Sequence, residues 1–158
     1  MTQNVYRVPL LIATILEGIS LLVFISCVSA QEQICALMIA PGTGGLPHVV
    51  PVVELGLRVV YFALCLILLL IANSYKGESR RGIAAVFAVL RCIFMLSAPY
   101  LAAFSTRLVA MKGEKELIVY SSVTQGFNLV ATPFLAGATA FFFIGLGRYG
   151  IATIGETE

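Results

Sequence analysis

Glu17, Glu54, Arg58 and Arg91 are ionisable side chains set in stretches that are otherwise apolar enough to lie in a lipid bilayer. Two are acids and two are bases, so they can neutralise one another. A charge near the bilayer centre costs at least ~2.5–3.5 kcal/mol on the most lenient insertion scales, which obliges each to find an ion partner, water or a ligand. The chemistry open to such a set is acid/base or electrostatic: a carboxylate that gives or takes a proton, and guanidinium groups that hold negative charge. Isomerisation, cyclisation or conjugation of a lipophilic substrate fits that description. In that reading Glu17 and Glu54 are the candidate catalytic carboxylates, and Arg58, Arg91, Gln125 and Asn128 are the candidate ligand-binding groups.

Spacing separates the four charges. Glu54 and Arg58 are four residues apart with the acid first, so they share a helix face and can pair within one helix. Glu17 and Arg91 have no such local partner, and the economical arrangement pairs them between helices. The planar guanidinium fork suits this, because it grips a carboxylate through two hydrogen bonds and keeps its proton. Gln125 and Asn128, three apart, extend the polar face, as do Ser20, Ser97 and Thr132; each serves equally as interhelical hydrogen-bond glue. Tyr61 and Tyr100 either stack on a ligand or pack. A purely structural role explains the same residues: the network holds helices in register, and removing one partner strands the other in a dry interior.

Other chemistries fall away. The chain has one His (His48), no Asp and no Trp, so bis-histidine haem ligation, zinc spacing and an HExxH site are all missing. There is no GxSxG nucleophile elbow, and the four cysteines form no CxxC. Residues 41–45, PGTGG, lack both the Gly-Lys-Ser/Thr ending and the preceding strand of a phosphate-binding loop, and read as a flexible turn. No metal or cofactor is expected. The net charge of +2 is spread along the chain without a dense basic block, so nucleic acid is not an expected partner.

The elements that must position these residues follow from composition. Of 158 residues, 59% are hydrophobic and 11% charged, and the mean hydropathy is +0.99. Soluble domains are usually about 45–50% apolar and about 25% charged, so this is membrane composition. The expectation is an all-α polytopic membrane protein, a four-transmembrane-helix bundle forming a single transmembrane domain over 1–158. The helices are expected at about 8–30, 50–73, 82–106 and 117–147. Pro99 and Pro133 fall inside the last two, as membrane helices tolerate. A rival reading makes the first stretch a cleaved signal peptide ending at Val28-Ser29-Ala30; the carboxylate of Glu17 and the length of the stretch oppose it.

Residues 31–48 form a Gly- and Pro-rich connection, whereas the tight link over 74–81 makes the second and third helices antiparallel neighbours. Cys27 and Cys35 lie on one side of the membrane and could bridge there in an oxidising compartment. Cys65 and Cys92 read as small buried hydrophobes. Counting helical rise, Glu17 lies ~14 Å deep, Arg91 about equally deep from the same side, and Arg58 about as deep from the other, so the three meet near the midplane. Glu54 is shallower, toward the headgroups.

Lys76, Arg80 and Arg81 in the second loop, against none in the first, put that loop and both termini in the cytoplasm, although Arg107, Lys112 and Lys115 then face outward. Tyr6, Tyr75, Tyr120 and Tyr149 mark the interfaces, and the run Phe141-Phe142-Phe143 reads as an interfacial or lipid-facing cluster. Small residues such as Gly137, Ala138 and Gly145 permit close helix approach or self-association. The outline is similar to that of several tetraspan families, MARVEL-type scaffolds among them; the likeness is one of topology and carries no site residue.

Two functions therefore stand. One is a scaffold or accessory subunit held together by its Glu/Arg network, with the bilayer, other membrane subunits or a second copy as partners. The other is a membrane-embedded enzyme, an isomerase, cyclase or transferase acting on a lipophilic small molecule.

Overall fold

In hydrocarbon a backbone N–H or C=O has no water to bond, so an apolar run without turn residues closes its own hydrogen bonds as a helix. The computed structural model follows this rule throughout. It describes the backbone of residues 4–38, 49–72, 74, 79–110 and 115–151, with side chains chiefly within 5–30, 54–72, 79–100 and 128–151. Four helices make up the described chain: α1 (Asn4–Met38), α2 (Val49–Ile71), α3 (Ser79–Ala110) and α4 (Lys115–Ile151). Each contains a stretch long and apolar enough to cross a membrane, namely Val5–Ala30, Glu54–Ile71, Ser79–Tyr100 and Asn128–Ile151. The all-α four-helix bundle is thus the architecture.

Three helices run past the apolar limits expected from the sequence. α1 has 35 residues, α3 has 32 and α4 has 37, so each exceeds the ~20 residues that a hydrocarbon core demands. In α1 the extension carries Gln31, Glu32 and Gln33, good helix formers with no breaker before Pro41. This corrects the expected connection over 31–48, whose first half is helical. It also removes the Cys27–Cys35 bridge, because eight residues along one helix separate the Cα atoms by ~12 Å, beyond the ~7 Å limit for a disulfide. Cys27 carries a free thiol. His48 and Lys76 lie outside the described residues.

α1 packs on α4 and α2, and α3 packs on α4 and α2, so α1 and α3 face each other across a diagonal where their backbones do not approach. Neighbours are antiparallel. At one end of the bundle, the Tyr6 end, the start of α1 meets the end of α2 through Tyr6 Oη donating to the Ala72 carbonyl at 3.4 Å. The Tyr6 and Tyr149 rings meet edge-on at 5.3 Å. The Arg80 guanidinium, from the start of α3, lies 5.8 Å from both ring centroids. Both tyrosines are therefore buried against an arginine rather than turned out as interface markers.

The α1–α4 contact is the most extensive in the bundle, and small residues set its distance. A Cβ on Gly145 would lie 2.7 Å from Leu10 Cγ, and one on Gly137 would lie 3.2 Å from Leu16 Cδ1. Between this contact and α2 sits an apolar core that includes Leu10, Ala13, Cys65, Leu68, Phe142 and Leu146. Phe142 is fully enclosed there, with Phe141 and Phe143 packed against that core, which corrects the lipid-facing reading of the triple. The outward residues Leu11, Ile15 and Leu22 on α1, and Leu96 and Tyr100 on α3, stand exposed as a lipid-facing surface requires.

Candidate functional site

Glu17, Ser20 and Phe24 recur at i, i+3 and i+7 on α1, so helical periodicity aligns them on one inward face. All three are fully buried. Facing them are Arg91 of α3, 0% exposed, and Arg58 of α2, 4% exposed. These side chains form two linked centres, one around each arginine.

Arg91 gathers a group from every other helix. Its Nη2 donates to Glu17 Oε1 of α1 in a salt bridge that neither water nor lipid touches. The same nitrogen donates to Thr139 Oγ1 of α4 at 2.8 Å. Thr139 spends its own proton on the Leu135 carbonyl, also at 2.8 Å, which fixes the hydroxyl as an acceptor toward the arginine. The guanidinium carbon lies 4.0 Å from the Tyr61 ring centroid of α2 and 5.5 Å from that of Phe142. Aromatic faces carry negative charge density, so the cation is held by rings as well as by its carboxylate.

Arg58 is built in the same manner one step toward the opposite end. Its Nη1 donates to Ser20 Oγ and its Nη2 to Asn128 Oδ1, the latter at 2.9 Å, and its guanidinium carbon lies 4.7 Å from the Phe24 ring centroid. Glu54, one turn earlier on α2 and half-buried, lies in the field of Arg58 and beside Asn128. Glu17 sits between the fields of Arg91 and Arg58, and the four formal charges sum to zero. Four buried atoms of the pair of centres have no hydrogen-bond partner: Glu17 Oε2, Arg58 Nε, and Arg91 Nε and Nη1.

Sequence spacing anticipates part of this arrangement. Glu17 with Arg91, Arg58 with Asn128, and Ser20 come together. Ser97 and Thr132 do not join them, since their hydroxyls turn back onto the Phe94 and Asn128 carbonyls of their own helices at 3.0 and 2.6 Å. Tyr100 is 77% exposed and points away from the site. Gln125 lies on α4 one turn before Asn128, and its side chain falls outside the described residues. Thr139, Phe24 and Phe142 were missed. Thr139 was findable, being eleven residues, about three turns, beyond Asn128 and hence on the same face of α4.

Among the described residues, no three His, Cys, Asp or Glu side chains are grouped to hold a metal ion. Comparison of the chain with protein-family models, curated proteins and solved structures finds no match.

Proposed function

We propose that this chain is a scaffold or accessory subunit of a membrane assembly, a single four-helix transmembrane domain whose Glu/Arg network organises the bundle. The observation that carries the reading is the Glu17–Arg91 contact. It ties together the two diagonal helices, whose backbones do not approach, and it is wholly enclosed. The Arg91 side of the pair is also held by fixed neighbours, Thr139, Tyr61 and Phe142, so the geometry favours one register of α3 against the other helices. Partners are the bilayer and, through the exposed apolar faces, other membrane subunits or a second copy. Both termini lie in the cytoplasm in this reading, and the collection of Arg7, Arg80, Arg81 and Arg148 at the Tyr6 end supports it.

The second reading is a membrane-embedded enzyme on a lipophilic substrate, with Glu17 and Glu54 as proton carriers and Arg58, Arg91, Gln125 and Asn128 holding an anionic group. It is favoured by the uncommitted atoms Glu17 Oε2, Arg58 Nε and Arg91 Nη1, which a bound polar group would satisfy. Glu17→Gln and Arg91→Gln separate the two. The scaffold role requires both to lower bundle stability and yield. A well-folded variant that has lost binding or turnover of a lipophilic molecule would sink it in favour of the enzyme.

A further inference from the structure

Pro9 has no N–H, so the Val5 carbonyl, four residues earlier on α1, loses its ordinary helical partner. Arg148 of α4 takes it: Nη1 donates to the Val5 oxygen at 3.2 Å, which holds an exposed guanidinium over the first turns of α1. That bond uses one of five N–H donors. Val5 lies eleven residues before Leu16, so it shares the α1 flank on which Leu16 meets Gly137 of α4. Arg7 lies eleven residues before Gly18 and shares the opposite flank, where a Cβ on Gly18 would meet Phe62 of α2 at 3.4 Å. Arg7 Nε is enclosed and has no hydrogen-bond partner. The outward face of α1 runs between these two arginines as the exposed apolar stripe Val8, Leu11 and Ile15.

Two cations at the head of a lipid-facing stripe match one kind of molecule. We infer that this face of α1 binds an anionic phospholipid, its phosphate between Arg7 and Arg148 and its acyl chains along Val8, Leu11 and Ile15. The inference depends on the chain spanning a bilayer and not on the choice between scaffold and enzyme. Anionic rather than zwitterionic lipid follows from charge: besides half-buried Arg7 and exposed Arg148, Arg81 of α3 adds a further exposed positive group at this end. Guanidinium groups suit the task, since their fork matches two phosphate oxygens.

The test is native mass spectrometry of the full chain in detergent, titrated with phosphatidylglycerol, with phosphatidylcholine, and with soluble glycerol phosphate as competitor. Phosphatidylglycerol should bind the wild type in preference to phosphatidylcholine. Arg7→Gln with Arg148→Gln should lower that affinity on the order of thirtyfold, from two basic groups near an anionic headgroup. Arg107→Gln, in the last turn of α3 at the other end, should leave it unchanged, and Arg7→Lys with Arg148→Lys should retain most of it. Equal binding of phosphatidylcholine, or full retention in the Gln pair, overturns the site. Displacement of the lipid by glycerol phosphate overturns the lipid as its ligand. Should the Gln pair misfold, the wild type decides alone: salt of about 1 M should strip phosphatidylglycerol and spare phosphatidylcholine, and retention of both refutes the proposal.

Discussion

Replacing Glu17 by Gln keeps the shape of the side chain and deletes its charge, which leaves Arg91 as an enclosed cation without its carboxylate. Removing one partner of a buried ion pair costs about 3–5 kcal/mol. Arg91 would still donate to Thr139 and lie 4.0 Å from the Tyr61 ring centroid, and an aromatic face is worth about 2 kcal/mol to a desolvated cation. The loss for Glu17→Gln therefore belongs at the lower bound, about 3 kcal/mol. Arg91→Gln leaves the carboxylate without such rings, and the hydrogen bonds of Arg58 go to Ser20 and Asn128, so its loss belongs nearer the upper bound, about 5 kcal/mol. The double variant strands neither charge. Two facing amides retain a neutral polar contact of roughly 0.6 kcal/mol, and the double variant should lie within about 2 kcal/mol of wild type, less destabilised than either single. Far-UV circular dichroism during SDS-driven unfolding in mixed micelles measures all three. A double variant as destabilised as the sum of the singles, or singles within about 0.5 kcal/mol of wild type, would refute the reasoning.

Three other expectations follow from the packing and the helix ends. Gly145→Ala drives a methyl into Leu10 and should destabilise by about 1–3 kcal/mol through overpacking, whereas Gly147→Ala, with nothing within 4 Å, should change the thermal midpoint little. Ser20→Ala removes the acceptor for Arg58 Nη1 and should cost about 1.5–3 kcal/mol in the same SDS titration, as expected for a hydrogen bond to a charged group; a neutral effect would mean that Arg58 finds another acceptor. With four spans, Cys35 and a cysteine introduced at Lys76 should react with an impermeant maleimide from opposite faces of a sealed vesicle, while enclosed Cys65 should stay unlabelled; reaction of the two from one face excludes the four-span topology.

The span count and the Glu17–Arg91 pairing were legible because both follow from long-range rules that composition alone enforces. Twenty apolar residues must be helical in lipid, and two lone opposite charges at equal depth have few other places to go. Helix ends were less legible. Gln31, Glu32 and Gln33 read as loop by polarity, yet their helix propensity carries α1 on to Met38. The Arg58 partners divided along the same line. The i, i+4 relation to Glu54 is a local pattern, but the hydrogen bonds to Ser20 and Asn128 depend on the rotation of α1 and α4, which no single helix encodes. Phe142 was misplaced because three consecutive phenylalanines have no periodicity, and only the packed bundle shows which of the three turns inward.

The order of synthesis gives the diagonal pair a further consequence. Glu17 and Arg91 are separated by 74 residues, so at ~5–20 residues per second the first helix leaves the ribosome roughly 4–15 s before its counter-charge exists. During that interval an uncompensated acid has to be kept out of free lipid, either beside the insertion machinery or next to Arg58, which arrives earlier. The helix that makes the largest contact with α1, α4, is also the last of these four to be made. Biogenesis of this bundle is therefore a waiting problem, in which the most vulnerable of the four helices is made before the others and its stabilising neighbours come late.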